Sequence, residues 1–448
     1  MAEDLSARID NFALYLPAVQ FGSACRLAQR DVEIRRLEPF PDLCWSDLDW
    51  HNPKNVHWHY KWCLASAGHF ARASRDNIIS NRHQDTIVVG DSGGFQIATG
   101  AMKETRGWAD LPGDEVIRRW QESDICHRLV DWLDAHCNWA MTIDMPLWIR
   151  SEERRGSPFF KLSEAELIDV TVSNLKLIDE IRDRRTGTKF LNVLQAASSS
   201  GDLADSMRSE DLWFDAVKDF DFEGWAIGGD VGRRGGFCRF LRRMLILKNA
   251  GLLSPPRNWC HVLGIGTPMW SVFLTAIQRA VQNHASNPDF AISHDSATPY
   301  SIAGKNQEYA LPAILGDELK NWTIRQARLE ISYAVANEAA PIRFPASSPI
   351  AGALTLQDLV PRRGKIEQKR TDHLSDALLV NHNVYVYLTA MIRANEAVFT
   401  YAEAPQPLLD AIAIIDQLFA TPTWVPLLDK HRNRLEATFK RALGQTNA

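Results

Sequence analysis

The chain has no uninterrupted apolar run long enough to cross a bilayer, although 45% of its 448 residues are hydrophobic. Its first residues, Met1-Ala2-Glu3-Asp4, are acidic and do not resemble a signal peptide. The seven cysteines are odd in number and lack paired spacing, which argues against a disulfide framework and favours reduced thiols. We therefore expect a large cytoplasmic protein that can bury a full barrel and a further appendage.

Acidic residues are missing from one long segment, although the whole chain has a net charge of -5. Residues 231–288 contain neither Asp nor Glu, and the basic residues inside this segment are clustered. Such clustering can hold phosphates even on an acidic protein, which predicts a nucleic-acid contact. The candidate phosphate-binding residues are Arg233, Arg234, Arg239, Arg242 and Arg243. The alternative is a helix whose arginines merely face solvent.

Short apolar runs that end in polar or glycine residues recur along the chain. The first, Thr86–Val89, leads to Gly90 and Asp91. Later runs lead to Asp144, to Gln195, to Gly228 and Gly229, and to Asp295. Helical periodicity lies between them, for example over residues 115–133 and 164–181. This alternation predicts an α/β protein with a (β/α)8 TIM barrel, in which the strand ends meet at one mouth.

The barrel is expected to occupy residues 1–345, with its first strand within Phe12–Val19 and an insertion around residues 39–69. Pro341, Pro345 and Pro349 mark a break in regular structure. Residues 346–448 form a C-terminal, mainly helical region, with helices predicted over residues 372–396 and 407–443.

Several segments, taken in order, resemble the tRNA-guanine transglycosylase family. The segments are Asp91-Ser92-Gly93-Gly94-Phe95-Gln96, Thr142-Ile143-Asp144, Val193-Leu194-Gln195, Trp225-Ala226-Ile227-Gly228-Gly229 and Leu263-Gly264-Ile265-Gly266-Thr267-Pro268. Asp295, just before Ser296-Ala297-Thr298-Pro299, stands where that family carries its nucleophile. The resemblance implies a barrel enzyme that exchanges one base for another.

The chain departs from the tRNA enzymes in its C-terminal region. Residues 377–383 resemble the helix that supplies a zinc-binding histidine, here His382, but the last cysteine is Cys260. Without the cysteine cluster, His382 is expected to be an ordinary helix histidine, and we expect neither metal nor cofactor. The chain therefore resembles the DpdA-type DNA 7-deazaguanine transglycosylases most. That resemblance implies exchange of guanine in DNA for a 7-deazaguanine base such as 7-cyano-7-deazaguanine (preQ0), with an ATPase partner.

The chemistry of base exchange requires two acidic groups. Cutting an N-glycosidic bond places positive charge on the sugar, and exchange with retention requires a covalent intermediate. Asp295 is the predicted nucleophile. Asp91 is predicted to protonate the leaving guanine and to accept a proton from the incoming base.

Guanine presents N1 and N2 donors beside an O6 acceptor. Asp144 can accept from the donors, while Gln195 and the backbone N–H of Gly229, next to Gly228, can donate to O6. Phe95 and Leu263 are predicted to sandwich the ring. In the alternative interpretation, Asp144 is a strand-end cap, Gln195 binds barrel backbone, and the glycines form tight turns.

Histidine and cysteine are also clustered in the N-terminal insertion, at His57, His59, Cys63 and His69. A helix would place His59 and Cys63 on one face, where a metal could bind. The segment is also rich in tryptophan and tyrosine, and we favour an aromatic packing surface.

Two alternatives to a DNA enzyme remain open. The first is a tRNA-guanine transglycosylase that lacks the zinc module, and the second is an inactive barrel subunit that binds nucleic acid. A DNA enzyme must extrude its target base from the duplex. The chain has no Gly-x-x-x-x-Gly-Lys-Ser/Thr segment, so ATP-driven strand opening requires another protein.

Overall fold

The computed structural model describes residues 2–30, 43–72, 75–195, 203–229, 236–330, 334, 343–345, 348–359 and 372–442. The strands are β1 (Glu3–Asp4), β2 (Leu14–Pro17), β3 (Trp58–His59), β4 (Trp62–Ser66), β5 (Ile87–Asp91), β6 (Trp139–Met141), β7 (Lys189–Leu194), β8 (Gly224–Ile227), β9 (Trp259–Val262), β10 (Ala291–Ser296), β11 (Glu308–Leu311) and β12 (Arg325–Arg328). The helices are α1 (Leu5–Ile9), α2 (Phe21–Leu27), α3 (Trp45–Leu48), α4 (Ala67–Phe70), α5 (Gly94–Ala98), α6 (Gly113–Glu122), α7 (Ile125–His136), α8 (Glu164–Ile181), α9 (Leu203–Val217), α10 (Gly236–Asn249), α11 (Pro268–His284), α12 (Thr298–Ser301), α13 (His373–Phe399), α14 (Gln406–Ala420) and α15 (Trp424–Ala442). Within these ranges, no helix combines the length and apolarity needed to span a membrane.

Eight parallel strands form one barrel-like sheet in the order β2-β10-β9-β8-β7-β6-β5-β4. The two outer strands of this series approach each other, because the Val19 N–H donates to the Leu64 carbonyl at 2.8 Å and Ala18 bridges Leu64. The sheet is therefore nearly closed and compatible with the predicted TIM barrel. Every strand that the sequence predicted lies in it, including the first one within residues 12–19.

The strands are buried on both faces, as expected for a parallel sheet covered by helices. Glycine is required where a helix approaches most closely. A Cβ atom at Gly90 would collide with the side chains of Leu133 and Cys137 on and just after α7, so Gly90 lets this helix pack on β5. The same strand then ends at Asp91, which is thereby held at the barrel mouth.

The N-terminal insertion is a packing surface built on aromatic rings. Trp50 and Trp58 stack with ring centroids 5.4 Å apart, and Trp58 Nε1 donates to Asn381 Oδ1 at 3.1 Å. His59 ends β3 and Cys63 lies within β4, so the two residues do not share the helix face that a metal site would have required. Among the described residues, no group of three His, Cys, Asp or Glu side chains is arranged to hold a metal ion.

The C-terminal helices pack on the outer layer of the barrel. Asn395 of α13 donates to Ser271 Oγ of α11 at 2.8 Å, and Phe439 of α15 stacks on Phe237 of α10 at 5.3 Å. The predicted helix over residues 407–443 is in fact two helices, which are separated around Pro422. The predicted helix over residues 115–133 is likewise divided, between Glu122 and Ile125. The proposed boundary at residue 345 stays a prediction.

His382 is buried in α13, where its Nε2 lies 2.9 Å from the carbonyl oxygen of Ala310. Burial lowers the pKa of His382 to about 4, so the ring is neutral and donates this hydrogen bond. The next residue, Asn383, accepts from the Ala310 N–H at 2.7 Å. These two side chains therefore tie β11 to the long C-terminal helix.

Candidate active site at the barrel mouth

Asp295 lies on β10 near its carboxyl end and is 8% exposed. Its Oδ1 accepts a hydrogen bond from the backbone N–H of Gly264 at 2.7 Å and lies 3.2 Å from His261 Nε2. Gly264 has a φ of +72°, so the turn after β9 presents its N–H to the carboxylate. Within the described ranges, no hydrogen bond involves Asp295 Oδ2. The carboxylate is thus held through one of its two oxygens.

Asp91 ends β5 and is half-buried. Burial raises the pKa of Asp91, and the negative charge of Asp295 raises it further. Polar interactions with Ser66 and with the Gly93 backbone lower the pKa of Asp91 and so oppose the shift. Although more than two hundred residues separate them along the chain, the two carboxylates therefore interact electrostatically. The structure brings together the two acids that the sequence predicted as catalytic.

The surroundings of Asp91 include polar residues from the end of β4 that the sequence analysis did not assign to the site. Ser66 Oγ lies 3.3 Å from Gln96 Oε1, and Gln96 Nε2 lies 2.7 Å from His69 Nε2. Burial lowers the pKa of His69, while the charge of Asp91 acts in the opposite direction. The sequence does contain a signal for Ser66, because the apolar run 62–65 ends at this polar residue as the other strands do. The surrounding aromatic residues instead suggested a packing surface.

Asp144 follows β6 and is buried beside Gln195, which follows β7. Gln195 Nε2 donates to Asp144 Oδ2 at 2.5 Å, and a Cβ atom at Gly94 would stand 3.4 Å from Oδ1. Burial, assisted by the charge of Asp91, raises the pKa of Asp144 to about 7 against the opposing Gln195 hydrogen bond. Three carboxylates are therefore electrostatically linked at one mouth.

Gln195 itself retains an unused polar atom. Its Oε1 is buried and, within the described residues, has no hydrogen-bond partner. The prediction had this amide donating to a base, whereas in the structure one of its N–H groups is directed to Asp144. A buried orphan acceptor is costly, which makes this oxygen a point where a ligand donor would be stabilised.

Gly228, the first of the two glycines after β8, lies against the same amide. A Cβ atom at Gly228 would come within 2.9 Å of Gln195 Nε2, so only glycine fits without displacing it. Gly229 has a φ of +88°, which also favours glycine. Close approach to Gln195 therefore accounts for Gly228 and the left-handed backbone accounts for Gly229, while a base contact by Gly229 stays a prediction.

Phe95 is 55% exposed and belongs to an aromatic and cationic cluster at the rim. Its ring centroid lies 5.9 Å from that of Trp148, and the Arg154 guanidinium lies 5.8 Å from Phe95 and 5.1 Å from Trp148. Leu263 is partly buried and precedes the glycine that holds Asp295. We call Phe95, Trp148 and Arg154 the rim cluster. The sequence analysis predicted a role for Phe95 and missed the other two.

The structure corrects the prediction of a basic surface along α10. Arg239 and Arg243 are each 6% exposed and face the buried Glu210, with Arg243 Nη2 at 2.5 Å and Arg239 Nη1 at 3.9 Å from its Oε1. The prediction of direct phosphate contact is wrong for these two, because their charges are buried against a carboxylate. Arg242 is paired with Asp211 at 3.0 Å. Arg233 and Arg234 lie outside the described residues.

The mouth combines one carboxylate stabilised by N–H donors with two carboxyl groups whose pKa values are raised. Raised carboxyl pKa values in a cleft are typical of groups that transfer protons in active sites. No protein-family model and no curated protein matches the chain. The chemistry of the site is therefore argued from its geometry.

Proposed function

We propose that this protein is a DNA-guanine transglycosylase that exchanges guanine for a 7-deazaguanine base, 7-cyano-7-deazaguanine, through a covalent intermediate on Asp295. The observation that carries the proposal is the placement of Asp91, Asp144 and Asp295 at or just after the carboxyl ends of three strands of one barrel-like sheet. There Gly264 holds Asp295, and Gln195 holds Asp144. Three interacting carboxyl groups at strand ends are costly to fold, which favours a catalytic role.

In this mechanism Asp295 attacks the sugar carbon that carries the guanine. Its charge stabilises the cationic transition state and then forms the ester that preserves configuration on exchange. Asp91, with its raised pKa, is a proton donor to the departing guanine and later accepts a proton from the incoming base. The two roles require different environments. Asp295 lies beside the N–H groups of His261 and Gly264, whereas Asp91 is in a site whose burial raises its pKa.

Base recognition is assigned to the pair Asp144 and Gln195. An ionised Asp144 accepts from the N1 and N2 donors of guanine, and the orphan Oε1 of Gln195 offers a further acceptor. Adenine lacks this donor pattern and would leave buried acceptors unpaired, at a cost of about 1 to 3 kcal/mol for each group. The pair thus favours guanine and its 7-deaza analogues, which share the same edge.

A nucleic-acid partner is supported by the rim cluster. Exposed aromatic faces stack on unpaired bases, and a guanidinium can contact a phosphate or a ring. Within the described residues, Arg154 has no carboxylate within ion-pair distance, unlike its neighbours Arg150 and Arg155. DNA is favoured over tRNA because the chain lacks the cysteines that the tRNA enzymes use for zinc.

The test supplies labelled 7-cyano-7-deazaguanine to the purified protein with duplex DNA, single-stranded DNA or tRNA. Mass spectrometry of the digested nucleosides then reports incorporation. We expect incorporation into DNA by the wild-type chain and none by Asp295→Asn. Incorporation into single-stranded DNA alone would indicate that an ATPase partner opens the duplex. Incorporation into tRNA alone would favour the tRNA enzyme, and none in any substrate would favour the inactive subunit.

A further inference from the structure

We infer that His261, Ser293 and Trp259 form a buried orienting chain that holds Asp295 through Oδ1 and presents Oδ2 as its reacting atom. The inference rests on the proposed function, in which Asp295 is the nucleophile. The three residues do not touch the substrate and are positioning residues.

The chain of side chains runs through the interior of the barrel. Neighbouring strands β9 and β10 place Ser293 opposite His261 in register. Trp259 Nε1 donates to Ser293 Oγ at 2.8 Å, Ser293 Oγ lies 2.8 Å from His261 Nδ1, and His261 Nε2 lies 3.2 Å from Asp295 Oδ1. His261 and Ser293 have no exposed surface and Trp259 is 7% exposed. Water therefore does not compete for these hydrogen bonds.

The chemistry of the two ends fixes the direction of the hydrogen bonds. An indole N–H only donates and an ionised carboxylate only accepts. His261 Nε2 must therefore carry a proton to bind Asp295. In the tautomer that carries its hydrogen on Nε2, Nδ1 is the acceptor and takes the hydroxyl hydrogen of Ser293, while Ser293 Oγ accepts from Trp259 Nε1. Every group in the chain is satisfied in this arrangement, which selects one tautomer and one ring orientation.

The anchor of the chain is rigid. Trp259 stacks on Trp139 with ring centroids 4.9 Å apart and lies 5.7 Å from the ring of Trp62. These contacts fix the indole, the indole fixes the Ser293 hydroxyl, and the hydroxyl fixes the imidazole. A carboxylate at the mouth is thus positioned from the interior of the barrel.

The consequence for catalysis concerns the two oxygens of Asp295. His261 and the Gly264 N–H both contact Oδ1, so lone pairs on Oδ2 are left to form the bond to the sugar carbon. As that bond forms, the bond between the carbon and guanine breaks, and guanine leaves with its electron pair and a proton from Asp91. The incoming base reverses these steps, returning a proton to Asp91 and restoring the carboxylate.

The test compares His261→Phe, His261→Gln and Ser293→Ala by the rate at which the covalent adduct forms after rapid mixing and quenching. His261→Phe is expected to lower this rate about 100-fold with little change in KM for DNA, because a misdirected nucleophile slows chemistry and not binding. His261→Gln retains an amide donor and is expected to recover about tenfold of that loss. Ser293→Ala removes the tautomer constraint and the acceptor of Trp259 Nε1 but leaves His261 able to donate to Asp295, so its effect on the adduct rate is expected to be smaller.

Cys260→Ala is the matched control, because Cys260 is buried on the same strand and its Sγ faces Met244 of α10, away from Asp295. Circular dichroism and thermal unfolding monitor folding of each variant. Wild-type adduct rates in His261→Phe and Ser293→Ala would overturn the inference and leave the proposed function standing. Equal losses in Cys260→Ala and Ser293→Ala would also overturn it. Absence of any adduct in the wild-type protein would instead remove the proposed function.

Discussion

The two ends of the barrel differ in what they bury. At the mouth, Asp91 interacts electrostatically with both Asp144 and Asp295 across the strand ends. At the opposite end, the strand starts surround a cavity of about 510 Å³ lined by Trp62, Trp139 and Lys189 among others. We call this second region the floor.

The floor also contains a buried carboxyl group, Asp134, whose pKa is raised by burial. Its Oδ2, however, accepts from the backbone N–H of Asp183 at 2.8 Å, which is a structural role. Trp139 stacks on Trp259, and Lys189 lies 4.7 Å from the ring centroid of Trp139. Cavity volume and interacting carboxyl groups therefore mark opposite ends of this barrel, and the proposed function places the chemistry at the mouth, in line with the usual division between catalytic and stabilising ends.

The largest expected effect at the mouth follows replacement of the nucleophile. Asp295→Asn keeps an oxygen that can accept from Gly264 and His261 but removes the charge, so we expect exchange to fall by about 10⁴-fold or more and the covalent adduct to disappear. The adduct is measured by denaturing electrophoresis with labelled DNA. Asp295→Ala should behave in the same way, and full turnover by either variant would remove Asp295 from this role.

A somewhat smaller loss is expected at the proton-transfer group. Asp91→Asn should lower the rate of exchange by about 10²- to 10⁴-fold, because a general acid contributes on this scale. The leaving guanine would still depart slowly, so some adduct should survive in Asp91→Asn and none in Asp295→Asn. Rapid-quench measurement of both variants separates the roles. Equal loss of adduct in the two would show that Asp91 acts in the same step as the nucleophile.

Much of this contrast between the ends of the barrel could be predicted from sequence. The runs before Asp91, Asp144 and Asp295 are short, apolar and bounded by turn residues, so their local pattern indicated both the strand and the end at which the acid stands. Parallel topology then placed all three acids at one mouth. Contacts between side chains on different strands have no local sequence pattern that would predict them. The His261 to Asp295 contact, for example, depends on which strands become neighbours.

The burial of the α10 arginines was likewise not predictable from the local sequence. Their spacing indicated a helix but not which face was buried, and the deciding partner, Glu210, lies on a different helix. An ion pair between helices leaves no periodic trace in either segment. Ser66 and His69 were missed for another reason, since β4 lies in an aromatic-rich segment whose packing role concealed its strand end.

Replacement of Asp144 by Asn is expected to have an intermediate effect. The variant should be more stable than the wild type at high pH but less active. Its pKa of about 7 exceeds the unfolded value, so the folded state holds an extra proton between about pH 4 and 7 and stability falls as the pH rises through that range. Asp144→Asn should therefore unfold at higher denaturant concentration than the wild type at pH 8, by about 1 to 4 kcal/mol, and show little gain at pH 4.

Asp144→Asn should also reduce the rate of exchange about 10- to 100-fold. Its amide has one acceptor oxygen in place of two, so it cannot accept from both the N1 and N2 donors of guanine. Chemical denaturation at the two pH values and steady-state exchange provide the two measurements. A variant that is no more stable at pH 8 than the wild type would show that Asp144 is ionised without cost in the folded protein.

A weaker effect is expected at the rim cluster. Arg154→Ala should raise KM for DNA several-fold and reduce the salt dependence of binding by about one unit in the slope of log K against log salt, because one phosphate contact is lost. Arg242→Ala is the matched control, since its guanidinium is already paired with Asp211. Fluorescence anisotropy across a salt series makes the comparison. Identical slopes for the two variants would place the DNA path elsewhere.

The smallest effect is expected at the floor, and it bears most directly on the difference between the two ends. Lys189 is exposed and contacts the Trp139 ring, so Lys189→Ala should change the free energy of unfolding by at most about 1 kcal/mol and leave kcat and KM unaltered. Thermal unfolding and exchange assays measure both. Because the Trp139 ring also supports Trp259, Trp139→Leu should disturb the orienting chain and lower activity where Lys189→Ala does not. Loss of exchange in Lys189→Ala would mean that the floor cavity takes part in the reaction and that the two ends are not functionally separate.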